Sequence, residues 1–248
     1  SSAADRVRFL APGTAANGPL LTKWADTPLL KYQRSNAGQL NNSPFFGQRK
    51  LPCKLLRGES ESLQLVVRNP SSTTPVRGAN VVVSDLTNSL GQIFSRSNVA
   101  WHPVGWVNQR DLEVLRPPAP FEVPPSSTRA VWFTVYASPE QPAGLYRGTV
   151  TATQPAQPND AWPMEVEVVP LTLPPKTSVE STYFSLYGFE KHFGAQLNDP
   201  AQHEAIALEV ARNYARHRLF AGLHPLGSGA VEQEAEQGDF RRFDAWVN

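Results

Sequence analysis

The sequence predicts a mainly β chain: an N-terminal antiparallel β-sandwich over residues 1–175, then the first strand–helix units of an α/β domain over 176–248. Three observations predict it. Short runs of alternating apolar and polar residues recur between turn residues from 55 to 170, the pattern of a sandwich or barrel. The chain's 23 prolines crowd the ends of those runs, notably at Pro117, Pro118, Pro120, Pro124, Pro125, Pro170, Pro174 and Pro175. A residue without a backbone N–H belongs at edges and connections. After Lys176 the alternation gives way to an aromatic run and then to a helical period.

Residues 1–50 are polar and turn-rich, and predict an irregular lead-in in which Trp24 to Tyr32 packs across the sandwich surface. The first strong strand is Ser62–Arg68, where Leu63, Leu65 and Val67 share one face and Gln64, Val66 and Arg68 the other. Turns at Arg57–Ser60 and Asn69–Ser72 bracket it. Val81–Ser84 reads as a buried strand, and Ile93, Phe94 and Val99–Val107 as extended segments. Val131–Tyr136, Tyr146–Thr153 and Met164–Val169 alternate in turn, with Pro142-Ala143-Gly144-Leu145 linking the first two.

Beyond Pro174-Pro175-Lys176, Tyr183–Phe189 has strand composition. Asp199 stands as an N-cap before Pro200 at the first helical position, where its missing N–H costs nothing. Ile206, Val210 and Tyr214 form one stripe of the helix that follows, with Ala207 and Ala211 beside it. Leu219–His224 reads as a second strand and Phe240–Val247 as the start of a second helix. That order implies parallel pairing through crossover helices.

Composition excludes several classes. The formal charge is +1 with no basic face, so no nucleic-acid partner is expected. No apolar run reaches the roughly 18 to 20 residues that span a bilayer. Cys53 is the only cysteine and reads as a small core residue, since no His or Asn motif surrounds it. His203-Glu204 opens like a zinc motif, but Ala207 stands where the second histidine belongs. Gly227-Ser228-Gly229 lacks the spacing and lysine of a phosphate cradle. No metal and no cofactor is therefore expected. His102 reads as a strand histidine with a satisfied ring, and Ser60, Ser126 and Ser127 sit in turns without a nucleophile elbow. Trp101, Trp106, Trp132 and Trp162 suit core or edge filling, with a carbohydrate platform as the alternative. The opening SSAADRVRF has the small residues of a terminus left by signal cleavage, which suits a secreted or periplasmic protein, although a trimmed terminus has the same look.

Residues 142–150, Pro-Ala-Gly-Leu-Tyr-Arg-Gly-Thr-Val, resemble the "P-A-G-x-Y-x-G-x-V" hairpin of bacterial proteins similar to glycoside hydrolase family 123, including the broader group with a DUF4091 catalytic domain. Gly58–Leu65, the exit Val169-Pro170-Leu171-Thr172-Leu173-Pro174, and Asn213–Leu219 have matching character and order, so the resemblance runs over about residues 55–248. It implies that 176–248 begins a (β/α)8-type, TIM-barrel-like catalytic domain that is incomplete here. It also implies hydrolysis of N-acetylhexosaminides assisted by the substrate's own acetamido group, using an adjacent Asp-Glu pair. No such pair is present: the eight aspartates precede Arg, Thr, Leu, Leu, Ala, Pro, Phe and Ala. No catalytic residue is therefore assigned, and the pair is expected downstream.

Barrel enzymes place chemistry at the C-terminal ends of strands. Those ends carry Tyr187, Glu190 and His192 after the first strand and His224 after the second. Glu190, His192 and His224 are candidates for sugar hydroxyls and Tyr187 or Phe189 for stacking on a ring; loop solvation and ordinary packing are the alternatives. Two strands and two helices alone leave a sheet edge open. The remainder of the barrel, or another chain, is expected to pack on 176–248, and this chain alone to be inactive. A non-catalytic carbohydrate-binding or assembly sandwich is the competing reading.

Overall fold

Alternating side chains and sharp turns build two facing sheets. The computed structural model describes residues 14–15, 18–29, 48–107, 112–174 and 199–216. The chain divides into two compact units, Ser1–Leu173 and Pro174–Asn248.

In the first unit the described strands are β1 (Thr14–Ala15), β2 (Gly18–Pro19), β3 (Thr22–Asp26), β4 (Leu51–Arg57), β5 (Ser60–Arg68), β6 (Val76–Val83), β7 (Leu86–Thr87), β8 (Ile93–Phe94), β9 (Val99–Val107), β10 (Leu112–Leu115), β11 (Phe121–Val123), β12 (Thr128–Tyr136), β13 (Gly144–Thr153) and β14 (Asp160–Thr172). A five-stranded sheet runs β10-β9-β12-β5-β3. A seven-stranded sheet runs β11-β6-β13-β14-β4, with β7 pairing β13 and β8 pairing β7. Among the described residues, β1 and β2 form a separate two-stranded sheet.

The two sheets share one core. Leu63, Leu65, Val99, Val131, Phe133 and Val135 of the five-stranded sheet meet Leu51, Leu55, Val81, Val150, Met164 and Val166 of the seven-stranded one. The residues that face this core alternate along each strand, the period-2 rule of a pleated strand, while β5 is buried on both of its faces from Leu63 to Val67. The alternating runs read from the sequence lie within β5, β9, β12, β13 and β14.

Three features depart from the sequence expectations. The lead-in is not wholly irregular, because Thr22–Asp26 is the edge strand β3, paired with β5 from Thr22↔Arg68 to Asp26↔Gln64. Its apolar signal is hidden because Lys23 occupies a core-side position and is satisfied there by an ion pair. Leu51–Arg57, for which the sequence reading assigns no element, is also a strand; its Pro52 is tolerated because β4 lies at a sheet edge. Finally, the sandwich is not purely antiparallel, since β4 pairs parallel to β14. The parallel pair arises because β4 and β5, adjacent in sequence, belong to different sheets. The chain turns between them at Gly58, which has φ +75° and donates to the carbonyl of Ala137 at 2.7 Å.

In the second unit the described element is helix α1, Pro200–Arg216. Asp199 caps it as expected: its Oδ1 accepts from the Ala201 amide at 3.0 Å and its Oδ2 from Gln202 Nε2 at 3.1 Å. Arg212 pairs with Glu209 one turn earlier at 2.7 Å. The expected strands Tyr183–Phe189 and Leu219–His224 and the helix at Phe240–Val247 lie outside the described residues.

Candidate functional site

The hairpin that carries the family resemblance is built for folding. Tyr146 is fully buried on β13, its ring 5.7 Å from that of Phe94. Its hydroxyl donates to the Pro142 carbonyl at 2.7 Å and accepts from Gln141 Nε2 at 3.0 Å. A buried phenol tied to backbone four residues upstream pins the entry of the strand, as a tyrosine corner does. Gly144 has φ +148°, a conformation L side chains rarely adopt. A Cβ on Gly148 would stand 2.8 Å from the Asp85 carbonyl oxygen, so only glycine fits beneath that loop. Val150 is fully buried. Gly144, Tyr146, Gly148 and Val150 of the motif thus each have a packing or backbone reason.

The described carboxylates on the seven-stranded sheet are matched to cations rather than to one another. Asp160, on β14, meets Lys23 of β3 at 3.1 Å and also pairs with Arg49. It accepts from Trp162 Nε1 at 3.2 Å, and the Arg49 guanidinium lies over the Trp162 ring at 5.4 Å. Burial alone would raise the Asp160 pKa; the charge and hydrogen bond of Lys23, the indole N–H and Arg49 outweigh it, and the net direction is down. The hydrogen bond from Lys50 outweighs the opposing effect of burial, and the hydrogen bond from Arg147 and the charges of both cations add to it, so Glu165 is held below its usual value. Glu167 pairs with Lys54 at 2.8 Å and Glu122 with Arg77 at 3.1 Å. A carboxylate held ionised by a cation is a poor general acid. The bridges tie structure together instead; Lys23–Asp160 links one sheet to the other.

Other sequence candidates resolve similarly. Cys53 is buried on β4; burial, then the charges of Glu61 and Glu59, push its thiol up to about 12, so it stays protonated and unreactive at neutral pH. His102 Nδ1 lies 3.0 Å from the Arg116 carbonyl and donates to it, a satisfied strand histidine. Trp162 is 2% exposed within the core, and Trp101 packs against that core. The four-tryptophan platform therefore does not form, because alternation sends these two rings inward. Trp132 lies on the opposite, outward side of β12. Among the described residues no cluster of three His, Cys, Asp or Glu side chains could hold a metal, and no helix is long and apolar enough to cross a membrane. The sugar-site candidates Tyr187, Glu190, His192 and His224 lie outside the described residues.

No protein-family model matches the chain, and neither does any curated protein sequence. Among solved structures, a family 123 glycoside hydrolase from Clostridium perfringens, described for glycolipid glycan hydrolysis, matches with a TM-score of 0.64 at 13% identity. The match covers 80% of this chain and 36% of that one, so the chain spans about a third of the enzyme's length. The fold is thus similar to that of a family 123 glycoside hydrolase over most of the chain. Two weaker likenesses are the CupB2 chaperone of Pseudomonas aeruginosa (TM-score 0.31, 12% identity, 48% of this chain, 53% of that one) and the fimbrial subunit MyfA of Yersinia enterocolitica (0.30, 12%, 59% and 97%). At those scores neither bears on function.

Proposed function

We propose that the chain is the N-terminal, sandwich-bearing part of a secreted or periplasmic glycoside hydrolase. Its substrates are glycans, with N-acetylhexosaminides the favoured class. The observation that carries this reading is the fold likeness to a glycan hydrolase over 80% of the chain. The hairpin at 142–150, which resembles the family in sequence, agrees with that likeness of fold, since Gly144, Tyr146 and Gly148 are residues the fold requires.

In this reading the sandwich is scaffold. The opening of a TIM-barrel-like domain follows it from residue 176, and the Asp-Glu pair of a substrate-assisted mechanism lies downstream. The aspartate orients the substrate's acetamido group, and the glutamate protonates the leaving oxygen. Glu190, His192 and His224 contact sugar hydroxyls at one rim of the pocket, and Tyr187 stacks on a ring.

The test is turnover. A product of the same reading frame extended beyond Asn248 is assayed against aryl N-acetylhexosaminides and a wider panel of aryl glycosides, beside the 248-residue chain. Hydrolysis by the longer product alone is the expected result. Absence of turnover across the panel, or an extension without an adjacent Asp-Glu pair, reduces the likeness to one of fold.

A further inference from the structure

We propose that the outer face of the five-stranded sheet, at the end bearing Trp132, His102, Thr134 and Tyr136, binds a neutral oligosaccharide. This deepens the glycan reading above and rests on it. On β12 the core-facing residues are Val131, Phe133 and Val135, so Trp132, Thr134 and Tyr136 project together on the other side. The register sets His102 of β9 directly opposite Trp132, Ser62 of β5 opposite Thr134, and Ser60 opposite Tyr136. These six residues place an indole, a phenol, three aliphatic hydroxyls and an imidazole on one face of the sheet.

The polar groups are already oriented. Trp132 Nε1 donates to Thr134 Oγ1 at 3.2 Å, which lays the indole along the strand. The Arg116 carbonyl can only accept, so His102 Nδ1 carries the proton, and in the neutral ring Nε2 is left as an acceptor. Tyr136 is 40% exposed. Trp132 and Tyr136 are four residues apart on a rigid strand, roughly 13 Å at about 3.3 Å per residue. That is a span for a short chain of rings rather than for a single small molecule.

Charge selects the ligand class. None of the six residues is Asp, Glu, Lys or Arg. The opposite outer face, on the seven-stranded sheet, carries the Lys54–Glu167 and Lys50–Glu165–Arg147 ion pairs. A phosphorylated or acidic ligand would find no counter-charge on the Trp132 surface. An uncharged sugar presents apolar C–H faces to the rings, and hydroxyls to Ser60, Ser62, Thr134 and His102 Nε2.

The experiment titrates the 248-residue chain with neutral hexasaccharides, N-acetylated and non-acetylated, by calorimetry and tryptophan emission. Trp132→Ala removes packing against an apolar cluster, so Tyr136→Ala and Trp132→Phe are the diagnostic variants, with Glu167→Gln on the opposite face as control. Binding is expected, with each diagnostic variant weakening Kd about two- to tenfold, the range of one aromatic contact, and the control unchanged. The proposal is overturned if no hexasaccharide binds, or if one binds with equal affinity to all variants. Hydrolysis by the extended product without binding here removes the platform and spares the enzyme. Binding here without turnover spares the platform and removes the enzyme.

Discussion

The two outward faces of the sandwich are built by opposite rules. On the seven-stranded sheet the outward residues include charged, paired side chains, Lys54 with Glu167 and Lys50 and Arg147 with Glu165, beside exposed apolar ones such as Val82 and Leu145. On the five-stranded sheet they include a second apolar cluster of Trp24, Val66, Val104 and Ala130, each no more than 5% exposed. Outward position in a sandwich strand is therefore not the same as solvent exposure here. One face is finished against water. The other is apolar at one end and hydroxyl-bearing at the other.

The largest effect should come from placing a charge on each face. Val66 is 0% exposed and Val82, outward on β6, is 51% exposed. Val66→Lys buries an unpaired ammonium and should cost at least about 4 kcal/mol, enough to unfold a marginal domain. Val82→Lys should stay within about 0.5 kcal/mol. Urea unfolding of both variants checks the contrast; equal midpoints would abolish the distinction between the faces.

A second, smaller contrast separates the bridge between sheets from a bridge on one sheet. Lys23 is 7% and Asp160 23% exposed, whereas Lys54 and Glu167 are 65% and 49% exposed. Asp160→Asn should cost about 2 kcal/mol, because Lys23 is left short of a counter-charge in a nearly dry site. Glu167→Gln should cost under about 0.5 kcal/mol. The pH dependence follows from sign. The folded-state pKa of Asp160 is lowered from 3.8, so its stabilisation is fully present above that value. It fades as pH falls from 3.8 through the lower folded value. The stability difference between wild type and Asp160→Asn should therefore shrink below about pH 4, and a difference that grew on acidification would contradict the assigned partners.

These contrasts also mark what could be read from sequence. Strands whose burial comes from apolar alternation were legible: β5, β12 and β13 follow the runs at Ser62–Arg68, Val131–Tyr136 and Tyr146–Thr153. The cap of α1 was legible because Asp-Pro is a local signal. β3 was not, because Lys23 holds a core-side place through a partner 137 positions away in the chain, Asp160. β4 was not, because the meaning of Pro52 depends on whether its strand is central or at an edge, which only topology decides. The tryptophans show the same limit. Composition identified Trp132 and Trp162 as equal candidates, and strand parity sent one outward and the other into the core. The hairpin at 142–150 was the most legible segment and the least informative about chemistry, since Tyr146, Gly144 and Gly148 are fixed by packing and backbone geometry. The sugar-site residues proposed at 187–224 carry no such local constraint in the sequence.

The smallest effect on stability tests why the charged face is charged at all. Exposed pairs such as Lys54–Glu167 contribute little folding free energy, because solvent screens them and both side chains lose entropy on pairing. Their value lies in position. Lys54 sits on β4, which ends the seven-stranded sheet and has β14 as its partner among the described strands. An edge strand offers unpaired backbone groups to any other strand, and a lysine is a common way to discourage that pairing. Lys54→Val should therefore leave the urea midpoint nearly unchanged, within about 0.5 kcal/mol, while raising self-association in concentration-dependent light scattering. Glu167→Val, one strand inward on β14, should change scattering less at the same concentration. If both variants scatter alike, net charge rather than edge protection governs solubility. If Lys54→Val instead unfolds the domain, the seven-stranded face depends on its ion pairs for stability, and the contrast between the two faces is one of degree.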